Sequence, residues 1–211
     1  MDQATGVEAE LSRAWSEFLA PSEGTLILRP IAPDVLMDTS NLSAEQLEKL
    51  QSFKSETRKR QWAAGRLVEG ALKRLLHATP AEVFSTSLSH TKSPGQGVVL
   101  GVSAKVNFPI GVDLESRTRE VSARAARFFM RAEDAAFGLS PLQIWVIKEA
   151  CFKSKLRNAA LLVSHFEIKS FDPATGFGSC GLQKTNLSFR FQLLAAGPFF
   201  CAFSHALQGA D

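Results

Sequence analysis

The sequence predicts an α+β protein of two lobes with similar make-up, divided near residue 106. Three observations carry this. The chain has 211 residues, 45% of them apolar and 21% charged, an ordinary globular mixture at a length suited to one domain or two small lobes. Its periodic patterns run helix, strand, helices, strands up to about residue 105, then strand, helices, strands again. No low-complexity linker separates the two runs, so the lobes (1–105 and 106–211) pack closely, and the cleft between them is the place for a small-molecule site.

The elements follow in order. Val7, Leu11, Trp15 and Leu19 recur every four residues, which predicts an amphipathic helix. Thr25 to Leu28 reads as a short strand. Ser43 with Gln46 three residues on is a capping box, and helical pattern continues with a break near Ser55 to about His77. There Ala63, Leu67, Ala71 and Leu75 form one row and Ala64, Val68 and Leu72 a second, together a broad buried face opposite Lys59, Arg66 and Lys73. Val83 to Ser89 and Val98 to Ser103 read as strands joined by a Ser-Pro-Gly-Gln-Gly turn, and Ile110 to Glu115 as another strand. Val121 to Met130 and Leu142 to Leu156 read as helices. The remainder is β: His165 to Phe171, Leu187 to Leu194 and Phe199 to Ser204, with Asp-Pro-Ala-Thr-Gly-Phe-Gly between the first two as turn chemistry.

The formal charge of +3 hides an uneven distribution. Lys49 to Arg74 carries eight basic and two acidic residues, so this segment is +6 and the remainder −3. No run approaches the roughly 20 apolar residues of a membrane span, and the Met-Asp-Gln-Ala start lacks signal-peptide character. Cys151, Cys180 and Cys201 are odd in number and widely spaced, fitting neither a disulfide framework nor a zinc signature. Buried free thiols in a reducing cytoplasm are the expectation.

Gly111-Val-Asp113-Leu-Glu115 sets two carboxylates on one face at the end of an apolar strand. Like charges so placed repel unless a cation or proton intervenes, and Mg²⁺ suits oxygen donors beside phosphates; an exposed strand end with two solvated acids gives the same pattern. In Trp145-Val-Ile-Lys148-Glu149-Ala-Cys-Phe-Lys153, residues 145, 149 and 153 stack along one helix face. That helix can give Glu149 to the strand-end carboxylates and Lys153 to a phosphate, or carry only a surface pair worth ~0.2–0.5 kcal/mol. Ser87-Leu-Ser89-His90-Thr91 puts the two serines on one strand face and His90 on the other, where it can bond a phosphate oxygen or a local carbonyl.

These segments together resemble the signatures of 4′-phosphopantetheinyl transferases of the monomeric, two-lobed Sfp type. The resemblance rests on Gly-Val-Asp113-Leu-Glu115, the Trp-x-x-Lys148-Glu149-x-x-x-Lys153 helix, Ser-Leu-Ser89-His90-Thr, Arg58-Lys-Arg60-Gln-Trp62-Ala-Ala-Gly65-Arg66 and Arg127-Phe128-Phe129 with Glu133, all in family order. It implies two similar α/β lobes related by a pseudo-twofold, each a helix packed on a small, mostly antiparallel sheet. It departs from the family in the short stretch from Ala78 to Phe84, which lacks a Gly-Lys-Pro and leaves Lys92 as a substitute basic contact, and in the Leu156-Arg-Asn-Ala-Ala stretch after the last lysine.

The activity implied is transfer of 4′-phosphopantetheine from coenzyme A to a serine of an apo acyl or peptidyl carrier protein, releasing 3′,5′-ADP. By this resemblance Asp113, Glu115 and Glu149 hold Mg²⁺, Glu149 accepts the serine proton and Lys153 meets the departing diphosphate. Lys148, Ser89 and His90 contact coenzyme phosphates, as does one of Arg58, Arg60 and Arg66. Arg119, Arg124, Arg127, Phe128 and Phe129 are candidates for the carrier-facing rim. A monomer is expected, with no membrane and no nucleic-acid partner. Two other readings compete: a non-catalytic coenzyme A or nucleotide binder of the same fold, motivated by the short 78–84 stretch, and a nucleic-acid binder using the basic 49–74 segment.

Overall fold

The computed structural model describes residues 3–20, 22–31, 42–76, 84–92, 97–155 and 161–207. The segment 77–83, with its missing tripeptide, the 93–96 turn, the 156–160 stretch and the side chain of Lys92 lie outside it.

The chain is α+β with two small antiparallel sheets. The order is α1 (Gln3–Leu19), β1 (Gly24–Pro30), α2 (Ala44–Ser52), α3 (Glu56–Leu75), β2 (Ser85–Lys92), β3 (Gly97–Ala104) and β4 (Ile110–Ser116). There follow α4 (Ala123–Ala126), α5 (Pro141–Lys153), β5 (Phe166–Phe171), β6 (Phe177–Leu182), β7 (Ser188–Ala196) and β8 (Phe199–Leu207). The first sheet runs β1-β3-β2 and the second β4-β8-β7-β6-β5, so the sheets are unequal in size. No described helix is long and apolar enough to cross a membrane.

Capping explains the helix starts. The Ser43–Gln46 box opens α2, and Ser55 accepts from Arg58 N–H to open α3, which accounts for the break between them. A second box, Ser140 with Gln143, opens α5 with Pro141 in its first turn, where a missing N–H costs nothing.

Three apolar clusters hold the elements together. Val7, Leu11, Trp15 and Phe18 of α1 share one core with Leu26, Val102 and Leu114 and with Phe199 and Phe203 of the second sheet. Ala63, Ala64, Val68 and Leu72 of α3 pack on Ile27 and Val99 of the first sheet. Ile144, Val146, Ile147, Ala150 and Cys151 of α5 pack on Phe166, Phe189 and Phe191 of the second. All three cysteines are free and buried.

Three expectations need correction. The face of α3 is narrower than its two apolar rows, because Leu75 at its end is 57% exposed. The helix expected over Val121–Met130 is a single turn, Ala123–Ala126. The chain leaves the helix there, which lets Phe129 turn inward, 5.0 Å from the Trp145 ring and nearly edge-on to it. Finally, Phe177–Leu182 is a strand rather than part of a turn, paired to both β5 and β7. Its Phe-Gly-Ser-Cys-Gly-Leu composition hides it, since two glycines break the apolar alternation.

The sheets meet edge to edge along β2 and β4. Here side chains replace a main-chain ladder. Ser87 Oγ accepts the N–H of Val112 at 3.0 Å, Ser89 Oγ that of Leu114 at 3.1 Å, and Thr91 Oγ1 that of Ser116 at 3.3 Å. The period-two alternation on β2 thus matches the period-two amides of β4, with both strands running the same way. On the face of β4 that carries Asp113 and Glu115, α5 crosses so closely that a Cβ at Gly111 would collide with the Ala150 carbonyl and lie 2.8 Å from the Ser154 nitrogen. A glycine at 111 is what lets α5 lie against the strand bearing Asp113 and Glu115.

Ser89 stands at the middle rung and bonds two groups, since it also donates to Asp113. Ser89→Ala leaves a buried amide and one carboxylate contact unmatched, each worth roughly 1–3 kcal/mol. The expected loss is about 2–6 kcal/mol of unfolding free energy in urea at unchanged denaturant dependence. An unaltered midpoint would show that the rung carries no load.

Candidate active site

Asp113 and Glu115 are both buried on β4, at 5% and 8% exposure. Each is held by a hydroxyl from β2 and a cation from elsewhere. Asp113 Oδ1 accepts from Ser89 Oγ at 2.8 Å and from Lys153 Nζ at 2.7 Å. Glu115 Oε2 accepts from Thr91 Oγ1 at 2.8 Å, while Oε1 is ion-paired to Arg119. Lys153 also donates to the Val112 carbonyl at 3.0 Å. The last turn of α5 is therefore fastened to the middle of β4.

Glu149 lies one turn before Lys153 on the same face of α5 and is half-buried. Burial, reinforced by the charge of Asp113, raises its pKa, against the opposing pull of Lys153 and Arg119. His90, on the other face of β2 from Ser89, is held below the usual value near 6.5, first by burial and then by Lys153 and Arg58. Its imidazole is neutral at physiological pH. Asp113 and Lys153 are in contact, and the charges of Lys153, Arg58 and Asp113 all act on His90, so residues of β4, α5, α3 and β2 feel one another across the seam.

Arg58, at the start of α3, is the one of the three expected arginines whose charge acts on His90. Arg66 is turned to its own helix, paired with Glu69 and lying over the Trp62 ring at 5.6 Å to the centroid. Arg60 is exposed on the same helix.

Two site expectations are corrected. Ser89 gives its single hydroxyl proton to Asp113 and accepts from Leu114, so in this geometry it has no donor for a phosphate. Lys148 points into the core. It is fully buried, donates to the Phe129 carbonyl at 2.9 Å and pairs at 2.5 Å with an equally buried Asp134. Asp134 also receives the amides of Arg131 and Ile168. A lysine so enclosed cannot reach a coenzyme. Asp134 carries no sequence signal, since it lies outside the expected helices and strands, beside the exposed Glu133.

The donor chemistry suits a hard divalent cation. Asp113 Oδ2 is a buried carboxylate oxygen with no hydrogen-bond partner, and Glu149 beside it forms no ion pair among the described residues. No three His, Cys, Asp or Glu side chains converge into a ready-made metal cluster among the described residues; Arg119 occupies the open oxygen of Glu115.

Beside these carboxylates, Arg119, Val121, Phe128, Phe129, Trp145, Leu162 and Val163 line a largely apolar hollow of about 460 Å³. Phe128 at its rim is 73% exposed. Arg119 lies over Trp145, 5.7 Å from its centroid.

Two measurements check this geometry. Lys148→Met strands the buried Asp134 and is expected to cost about 3–5 kcal/mol, with the Lys148→Met/Asp134→Leu pair recovering much of it. Lys153→Met, at a half-buried position, is expected to cost distinctly less; equal losses would contradict the assignment of the two lysines. For pH, His90 and His205 both have lowered values, His205 chiefly through burial between α1 and the second sheet. Stability they permit is complete above the unfolded-state value and falls as pH drops through the lower folded-state value. The melting temperature is expected to decline below about pH 6.5, less steeply in His90→Gln and His205→Gln; variants that follow the wild-type curve would contradict it.

No family model matches the chain, and no curated protein matches it.

Proposed function

We propose that the chain is a 4′-phosphopantetheinyl transferase of the two-lobed type, acting on coenzyme A and the serine of an apo acyl or peptidyl carrier protein. The observation that supports this most is the contact of Lys153 with Asp113, with Glu149 one helical turn before Lys153 and the charges of Lys153 and Arg58 both acting on His90. Those are residues of four of the five motif segments, far apart in sequence. The α+β architecture with two antiparallel sheets is compatible with that family's fold.

The reaction forms a bond between the serine oxygen and the β-phosphorus of the coenzyme diphosphate and breaks the bond from that phosphorus to the bridging oxygen, which leaves with 3′,5′-ADP. Glu149 suits the proton acceptor. It is half-buried one helical turn before Lys153 on the same face of α5, where it can take the serine proton directly or through a water. Lys153 uses two of its three hydrogens on Asp113 and Val112 and keeps one for the departing oxygen. Neutral His90 donates to a phosphate without adding charge, and Arg58 offers its planar guanidinium to the adenosine-end phosphate. Asp113, Glu115 and Glu149 would hold a Mg²⁺ ion, which supplies charge neutralisation on the diphosphate. The apolar hollow with exposed Phe128, edged by Arg119, suits an acidic amphipathic helix presenting the serine. Free buried cysteines fit a reducing compartment such as the cytoplasm.

Incubation with fluorescent coenzyme A, Mg²⁺ and a panel of apo carrier proteins is expected to label a carrier serine. Glu149→Gln and Lys153→Met are each expected to lower kcat by at least about 100-fold. Tight coenzyme A binding by calorimetry with no transfer to any carrier would instead support a non-catalytic binder.

A further inference from the structure

We infer that Arg119 is a built-in counter-cation that competes with a divalent ion for Glu115 and must swing off it before the ion binds. This rests on the carboxylate reading of the site given above, and concerns how that site is loaded.

The two strand carboxylates differ in which of their oxygens are already bonded. Asp113 Oδ2 is buried and unpartnered. Asp113 Oδ1 and Glu115 Oε2 are fixed by Ser89 and Thr91. The remaining oxygen of this pair, Glu115 Oε1, is held by Arg119. An ion using both strand carboxylates therefore meets one unpartnered oxygen and one that is occupied by a guanidinium.

Two cations neutralise the cluster, Lys153 on Asp113 and Arg119 on Glu115, and both act on Glu149. They are not equally replaceable. Lys153 is tied to two acceptors, one of them a backbone carbonyl, and its side chain is 26% exposed. Arg119 has one carboxylate partner, and its side chain is 45% exposed. Arg119 also has somewhere to go: it already lies over Trp145 and lines the apolar hollow, so release from Glu115 keeps a cation–π contact. Arrival of a doubly charged ion makes the cluster over-neutralised unless one cation leaves, and Arg119 is the one free to do so.

The test is metal binding by the full-length chain, read without any turnover. Mn²⁺ affinity is measured by electron paramagnetic resonance of the free ion for wild type, Arg119→Gln, Arg119→Lys and Arg119→Gln/Asp113→Asn. Arg119→Gln is expected to bind about tenfold more tightly than wild type. Arg119→Lys is expected to stay near wild type, and the added Asp113→Asn to abolish the gain. Without metal, Arg119→Gln is expected to melt lower than wild type, and saturating Mn²⁺ to raise its melting temperature by more. Equal or weaker Mn²⁺ binding by Arg119→Gln would overturn the inference while leaving the transferase reading intact. Absence of Mn²⁺ binding in every variant would overturn the inference and also remove the carboxylates' metal role from that reading.

Discussion

The structure depends on how two separate sheets are joined. They share no main-chain ladder; three hydroxyls on the edge strand β2 take the amides of the edge strand β4 instead. A backbone ladder would have used up donors and acceptors without orienting any side chain. A hydroxyl accepts from the amide and still has a proton to give. Ser89 and Thr91 give theirs to the carboxylates of Asp113 and Glu115. The same rungs that join the sheets therefore aim two acids toward the seam and make their burial tolerable.

Helix α5 completes the arrangement by presenting two lysines to opposite environments. Lys148 and Lys153 are five residues apart, which sets them on different helix faces. Lys148 enters the core and, with Asp134, ties the loop after α4 to the helix. Lys153 faces β4 and meets Asp113 at a place reachable by solvent. Glu149, between them in sequence, shares the face of Lys153. The buried pair thus fixes the helix to the loop after α4, and the half-buried pair sits where solvent reaches its lysine. The close crossing over Gly111 is what makes both possible at once.

Much of this was legible in the sequence, and the failures have physical causes. Period-four apolar rows gave α1 and α3, the capping box at Ser43 marked the start of α2, and a break near Ser55 separated α2 from α3. The Ser-x-Ser-x-Thr alternation set hydroxyls on one strand face, although nothing in it says that they bond a second sheet. Asp113, Glu149 and Lys153 could be singled out because their spacings fix relative direction within one element. Asp134, and the ion pair from Arg119 to Glu115, could not be, because each joins an irregular segment to a distant or differently oriented partner. β6 was lost to its glycines. Lys148 was misassigned because adjacency to Glu149 in sequence means a turn of about 100° on a helix, and the composition does not say which face is inside.

The central claim is that the seam of β2, β4 and α5 is a phosphate-transfer site. Diffraction from crystals grown with coenzyme A and Mn²⁺, recorded at the manganese absorption edge, tests it most directly. The account predicts an anomalous peak against Asp113, Glu115 and Glu149, with the coenzyme diphosphate beside Lys153 and the adenosine-end phosphate near His90 and Arg58. Coenzyme density elsewhere on the molecule, or a fully occupied coenzyme whose diphosphate lies away from Lys153, would contradict it.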